Sequence, residues 1–380
     1  MTETVKLLQE LIALPSVNPA FLPEGDRHGG EERVAQHLAA LAQRAGLEVT
    51  LKPVVPGRPN LFVRLAPAGP SRPRQRIVLA PHMDTVGGEE IPGTLFRPRI
   101  QNGRLHGRGA CDTKGSVAAM FQAVLELARK GQRPERTEVL FIGLVDEENA
   151  QLGSRAVARS RLKADLALVG EPTQLKAVTA HKGDLWLKLE TRGKAAHGAR
   201  PELGHNAVHD MARIVHAIES DFARRLARRR HPLLGRATIN VGAIAGGRQP
   251  NIVPDRCQIL IDRRLLPGET EAQARRELQS YLERRGFRAR LTDTKGVPSK
   301  PLETDPKLPQ VRELLRALGQ RSPIGVDYFS DAGVLAAGGI PSVVFGPGNI
   351  AQAHTADEWI QLSQLEKAQR FLVHFLSRLP

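Results

Sequence analysis

Along this chain the spacing of apolar residues switches between a helical period and short buried runs, and the switches outline alternating helices and strands. The opening stretch "MTETVKLLQELIALPSVNPA" spaces its leucines for a first helix. A second helix is predicted near residues 31–45, and strands near 48–54, 60–65 and 76–80. In "KGSVAAMFQAVLELARKG", Val117, Phe121, Val124, Leu125 and Ala128 fall on one helical face, and Gly131 supplies the stop. "TEVLFIGLV" is short, continuous and rich in strand formers, which reads as a strand buried on both faces. Such alternation predicts an α/β layer architecture: a central mixed sheet with helices on both faces.

Near residue 178 the texture changes. "DLWLKLETRG" alternates as a half-exposed strand, and "LGHNAVHDMARIVHAIESDFARRL" is spaced for one long amphipathic helix. "ATINVGAI", "CQILIDRRL" and the helical "TEAQARRELQSYLERRG" complete a segment suited to antiparallel strands with helices on one side. The tail returns to the earlier style, with "IPSVVFG" as a buried strand and "LSQLEKAQRFLVHFL" as a closing helix. Residues 1–178 and 294–380 therefore read as one domain and residues 179–293 as an inserted α+β domain.

Composition narrows the class. Hydrophobic residues at 41% and charged residues at 25% match a globular chain. Apolar runs such as "VLFIGLV" are far below the ~20 residues that span a bilayer, so no membrane partner is expected. Cys111 and Cys257 cannot staple a chain this long, which fits a reducing cytoplasm. The net charge of +15 favours anionic partners, and much of it lies in "FARRLARRRHPLLGR". Nucleic acid is not the expected partner: aromatic residues are only 4% of the chain, none interleave that run, and it reads as a solvated helix face.

Five short sites place Asp, Glu or His directly after a predicted buried strand or in a Gly/Pro-rich loop, where open α/β sheets bind ligands. They are His82 and Asp84 in "PHMDTV", Asp112 in "GRGACDTKG", Glu147 and Glu148 in "VDEEN", Glu171 in "LVGEPT", and His354 in "FGPGNIAQAHTADE". Two histidines with several carboxylates suit zinc or a related hydrolytic divalent ion better than calcium or magnesium. Asp84 is placed to accept an imidazole N–H and turn the other nitrogen of His82 toward metal. Adjacent glutamates point to different sides, so Glu147 and Glu148 could divide into base and ligand. His197, in "AAHGARPELGHNA", reads as a further polar group or as a turn histidine. Asn251 and Arg264 could bind a carboxylate. The amides of Gly346 and Gly348 in "GPG" could meet an anion or simply form a turn. "GRGACDTKGS" lacks the spacing of a P-loop, and neither an "HExxH" nor a "GxSxG" pattern occurs.

In order and approximate spacing, "PHMDTV", "GRGACDTKG", "DEEN", "GEPT", "AAHGARPELGHNA", "NIVPD" with "DRR", and "QAHTADE" resemble the co-catalytic zinc amidohydrolases. That family includes acetylornithine deacetylase, succinyl-diaminopimelate desuccinylase, aminoacylase and the carboxypeptidase G-type peptidases. The resemblance implies a zinc-peptidase-like catalytic domain with an inserted lid and dimerisation domain. It implies two Zn2+ ions, with Co2+ or Mn2+ as substitutes: His82, Asp112 and Glu171 on one, and Asp112, Glu148 and His354 on the other. Asp84 would orient His82, and Glu147 would be the general base for the attacking water. His197 would steady the oxyanion in the partner subunit's site, which implies a homodimer through the lid. Asn251 and Arg264 would bind the substrate carboxylate. Pro81 stands where the family commonly has glycine, and Gly198 and Ala199 where serines are frequent.

The expected function is hydrolysis of the amide of an N-acyl amino acid that keeps a free carboxylate, of the acetylornithine deacetylase or succinyl-diaminopimelate desuccinylase type. A carboxypeptidase or dipeptidase of the same fold, acting on short peptides, is the same-class alternative. A non-catalytic basic binding protein is the alternative from another class.

Overall fold

Strand direction decides where the candidate residues meet. The computed structural model describes residues 1–69, 73–87, 93–294 and 297–380. It divides into a unit of Met1–Thr179, Glu303–Gly325 and Ser330–Pro380 and a second of Ala180–Leu302 with Val326–Phe329. In the first unit, strands Glu48–Val55, Arg58–Leu65, Thr137–Gly143, Gln75–Pro81, Leu166–Gly170 and Ser342–Val344 lie side by side in that order. The first two form an antiparallel pair joined antiparallel to Thr137–Gly143, and from there to Ser342–Val344 the strands are mutually parallel. The sheet is thus mixed.

Every residue of Thr137–Gly143 and Leu166–Gly170 is buried, so both faces of these strands are covered, as their unbroken apolar runs predict. Helices Glu3–Ala13, Lys114–Arg129 and Leu362–Ser377 contribute Leu8, Leu11, Phe121, Val124, Leu372 and Phe375 to one core with Leu79, Phe141 and Leu168 of the sheet. Parallel register aligns the carboxyl ends: Leu79 pairs with Phe141, Pro81 with Gly170, and Val344 with Val169. His82, Glu147, Glu148, Glu171 and the loop to His354 all follow those ends.

The second unit is an antiparallel sheet in the order Thr238–Gly246, Arg256–Leu265, Gly183–Arg192, Arg290–Asp293. Leu185, Leu187 and Leu189 alternate inward and meet Ile259, Ile261, Met211, Ile214 and Tyr281 in a separate core. It extends past the expected boundary at 293, because Ser299 is tied to Asp184: Ser299 N–H donates to Asp184 Oδ1 at 2.8 Å, and Asp184 N–H to the Ser299 carbonyl at 3.1 Å.

Several local expectations change. The single long helix begins only at Ala207, where Asn206 caps the amides of Val208 and His209, and passes through a π-helical turn over Ile218–Phe222. The basic run is not one helical face. Its helix stops at Leu226, and Arg230–His231 pairs with Gly235–Arg236 in a small hairpin whose Gly235 has φ +67°. Arg229 within it is paired with Glu269 and Glu277. Helices Leu152–Arg159, Pro309–Ala317 and Asp331–Ala337 were not legible as periodic segments, being short. Among the described residues no helix is long and apolar enough to cross a membrane.

Candidate metal centre

The strand Gln75–Pro81 hands directly to His82, whose side chain is buried. His82 Nδ1 lies 3.0 Å from the Asp84 carbonyl oxygen and 3.3 Å from Asp84 Oδ1, while Nε2 faces Asp112 Oδ1 at 3.1 Å and Glu171 Oε1 at 3.8 Å. Asp112 stands two residues before helix Lys114–Arg129, and the Asp112–Thr113 peptide is cis. Its other oxygen, Oδ2, lies 3.4 Å from His354 Nε2, which is also 3.1 Å from Glu148 Oε2. Two groups therefore converge, His82–Asp112–Glu171 and Asp112–Glu148–His354, each offering ligand atoms within 4.8 Å of one another. Asp112 belongs to both.

The charge balance is lopsided. Burial pushes the Glu147 carboxyl well above the usual range, and neighbouring Glu171 adds to it. Burial likewise raises Glu171 well above that range, and Glu148 to about 7, with Asp112 adding to each. Asp331, buried nearby, is also raised by burial to about 7. Burial raises Asp112 too, but hydrogen bonds with His354 and His82 outweigh it and hold this carboxyl below the usual range. His354, bonded to Asp112 and to Glu148, is lifted to about 10 by those two bonds. Among the described residues several buried carboxylates thus face two imidazoles, and Glu148 Oε1 is buried with no hydrogen-bond partner. Mixed imidazole and carboxylate donors with an unsatisfied oxygen fit divalent cations of the zinc type.

Asp84 does more than face His82. Its Oδ1 accepts the N–H of Glu147 and its Oδ2 that of Glu148, each at 3.1 Å, while Asn18 Nδ2 donates to Oδ2 at 2.8 Å. Asn18 also donates to Asp146 at 3.0 Å, and Arg58 binds Glu31 through a fork of two 2.7 Å bonds and Asp146 at 3.0 Å. Sequence reading missed Asn18, Glu31, Arg58, Asp146 and Asp331. The one available signal was the amide of Asn18 directly after Val17 in "PSVNPA".

His197, Asn251 and Arg264 belong to the second unit. His197 bridges to Ile252, and the Gly198 N–H donates to the Asn251 carbonyl at 2.7 Å, so His197 and Asn251 are neighbours and both are exposed. Arg264 pairs with Asp262 at 3.0 Å and lies at the far end of the strand Arg256–Leu265. At ~3.3 Å per residue, about 26 Å of strand separates it from Arg256 at the near end.

Gly346 and Gly348 belong to the first unit, and their amides are already used: Gly346 N–H donates to Thr173 Oγ1 at 3.1 Å and Gly348 N–H to Gln364 Oε1 at 2.9 Å. The reading of "GPG" as an anion cradle is corrected accordingly. Glycine is needed at 346 because a Cβ there would lie 2.5 Å from the Glu171 carbonyl oxygen.

Residues 78–378 match the model of peptidase family M20/M25/M40. The chain is 30% identical to acetylornithine deacetylase of Edwardsiella ictaluri, with 98% of each chain covered. Its fold superimposes on the aminopeptidase PepT of Bacillus cereus with TM-score 0.78 at 25% identity, covering 98% of this chain and 97% of the other. It also superimposes on an M20 family metallo-carboxypeptidase of Sulfolobus solfataricus with TM-score 0.77 at 20% identity and 99% coverage of both.

Proposed function

The chain belongs to peptidase family M20/M25/M40 and is a metal-dependent hydrolase, and from that premise we propose that it cleaves the amide bond of an N-acyl amino acid through two zinc ions. The observation that carries the reading is Asp112, whose two oxygens face the imidazoles of two separate ligand groups. His82, Asp112 and Glu171 would hold one ion, and Asp112, Glu148 and His354 the other. When bound, the paired cations supply Lewis acidity and lower the pKa of water.

Glu147 takes the proton of the attacking water and passes it to the leaving amine. The upward push that burial and Glu171 exert on its carboxyl is the direction this task requires. Asp84 holds His82 and the Glu147–Glu148 backbone in place. His197 donates to the developing oxyanion. Asn251 and Arg264 bind the substrate carboxylate.

We assign His197 to the site of a second copy. Its exposed position on the second unit supports this. Strand Thr238–Gly246 supports the homodimer as well: it forms an edge of the sheet among the described residues, and its Ile244 is 58% exposed. The cytoplasm is the proposed location, because both thiols are buried and unpaired.

The acetylornithine deacetylase relative favours an N-acyl substrate, and the aminopeptidase neighbour favours a short peptide as the second reading. Purified protein assayed on N-acetylornithine, N-succinyl-diaminopimelate and a dipeptide set, with and without a chelator, separates them. Chelator-sensitive deacylation is expected. Cleavage of dipeptides alone would establish the second reading, and chelator-insensitive turnover would refute both.

A further inference from the structure

We infer that Glu358 is a positioning residue that sets the loop carrying Asp112 against the loop carrying His354, and so fixes the geometry of the Asp112–Glu148–His354 group. The inference rests on the two-cation reading above. Glu358 is 3% exposed and makes no direct contribution to either ligand group. Its Oε1 accepts the N–H groups of Cys111 at 2.8 Å and Asp112 at 3.0 Å, and its Oε2 accepts Gly109 N–H at 2.9 Å and Arg108 Nη1 at 3.1 Å. The backbone joins in: Gly107 N–H donates to the Glu358 carbonyl at 3.0 Å. Arg108 Nη1 also donates to the Thr355 carbonyl at 3.1 Å, one residue beyond His354.

Consider what this bonding constrains. Asp112 must present one oxygen to each ligand group, so its backbone has to be fixed, and its own amide is one of those that Glu358 collects. His354 sits at φ +60°, in the left-handed region that a non-glycine residue occupies only when its surroundings hold it there. The Thr355 carbonyl and Glu358 hold the chain on its far side. One carboxylate and one guanidinium thus clamp both loops together, and charge-assisted bonds make that clamp stiffer than neutral turns would. Neither residue falls after a buried strand, so neither is visible to a search for ligands at strand ends.

A merely structural role is the competing account, and Glu138 provides its control. Glu138 is equally buried and paired with Arg64 and Arg76, but it lies on the strand Thr137–Gly143 at the end away from the ligand loops. Glu358→Gln replaces one acceptor oxygen with an amide that cannot accept, which leaves an N–H of the 109–112 loop unpaired. Full-length protein stripped of metal is titrated with Co2+ by calorimetry and visible absorption, and His354→Ala identifies which binding step belongs to the His354 group. Glu358→Gln is expected to weaken that step roughly tenfold or more, the range found for residues that orient metal ligands. Glu138→Gln should leave both steps unchanged although its melting temperature falls.

Should Glu358→Gln fail to fold, Arg108→Lys, which keeps the charge but loses the guanidinium whose Nη1 donates to both Glu358 and the Thr355 carbonyl, is read the same way. Unchanged Co2+ steps in the folded variant, or equal weakening in Glu138→Gln, would overturn the positioning role. Wild-type protein that takes up no Co2+ would instead refute the two-cation reading itself.

Discussion

Asp84 Oδ1 accepts the backbone N–H of Glu147 at 3.1 Å, so the carboxylate beside His82 also anchors the residue proposed as the base. Ligand and base are therefore set by one side chain. Asp84→Asn keeps the shape but turns one oxygen into a donor facing the N–H of Glu147 or Glu148 or the Asn18 amide. Metal affinity should fall about 10–100-fold, and turnover with it. Metal titration of the variant checks this, and wild-type affinity would count against the shared anchor.

Glu147→Gln removes the proton acceptor while leaving every proposed ligand in place. Turnover should drop by roughly 10²–10⁴-fold with metal content unchanged. Steady-state kinetics paired with elemental analysis reads both quantities in one preparation. Loss of metal would mean that Glu147 is a ligand rather than the base.

Arg58 lies between Glu31 and Asp146, both wholly buried. Arg58→Met strands two carboxylates in the interior, which costs about 3–5 kcal/mol for a broken buried pair. Urea unfolding should report that loss. A change under about 1 kcal/mol, the level of exposed pairs, would show that the network is solvated.

His181 gives a stability dependence on pH. Its ring is buried, Nδ1 lies 2.9 Å from the Lys182 carbonyl, and burial lowers its pKa from 6.5 to about 4. As pH falls below 6.5 the unfolded chain takes up a proton that the folded chain refuses until about pH 4, so stability is lost across that window. Between pH 7 and pH 4.5 the loss from this group is about 2 kcal/mol. The difference in unfolding free energy between wild type and His181→Leu should shrink by that amount over the same range. A constant difference would place the ring in water.

The convergence of the candidate ligand groups was legible because each member directly follows a buried strand or sits in a Gly-rich loop, and parallel register then brings the ends together. His82 after "RIVLAP" and Glu171 after "LALVG" are the clearest cases. What holds the ligands was not legible. Asn18, Arg58 and Glu358 act through hydrogen bonds that span 66, 88 and 246 positions respectively, and beyond the amide in "PSVNPA" no local pattern announces them. Gly346 shows the opposite failure, since a turn, an anion cradle and a close approach to a carbonyl all ask for the same residue. The π turn at Ile218–Phe222 escaped because its apolar residues still fit a helical face.

Crystals grown with zinc and measured on both sides of its absorption edge would show whether two cations share Asp112. Two anomalous peaks per chain are the expected result, one among His82, Asp112 and Glu171 and one among Asp112, Glu148 and His354, with the Asp112 carboxylate between them. A map without zinc there, or with Asp112 turned away from either position, would contradict it.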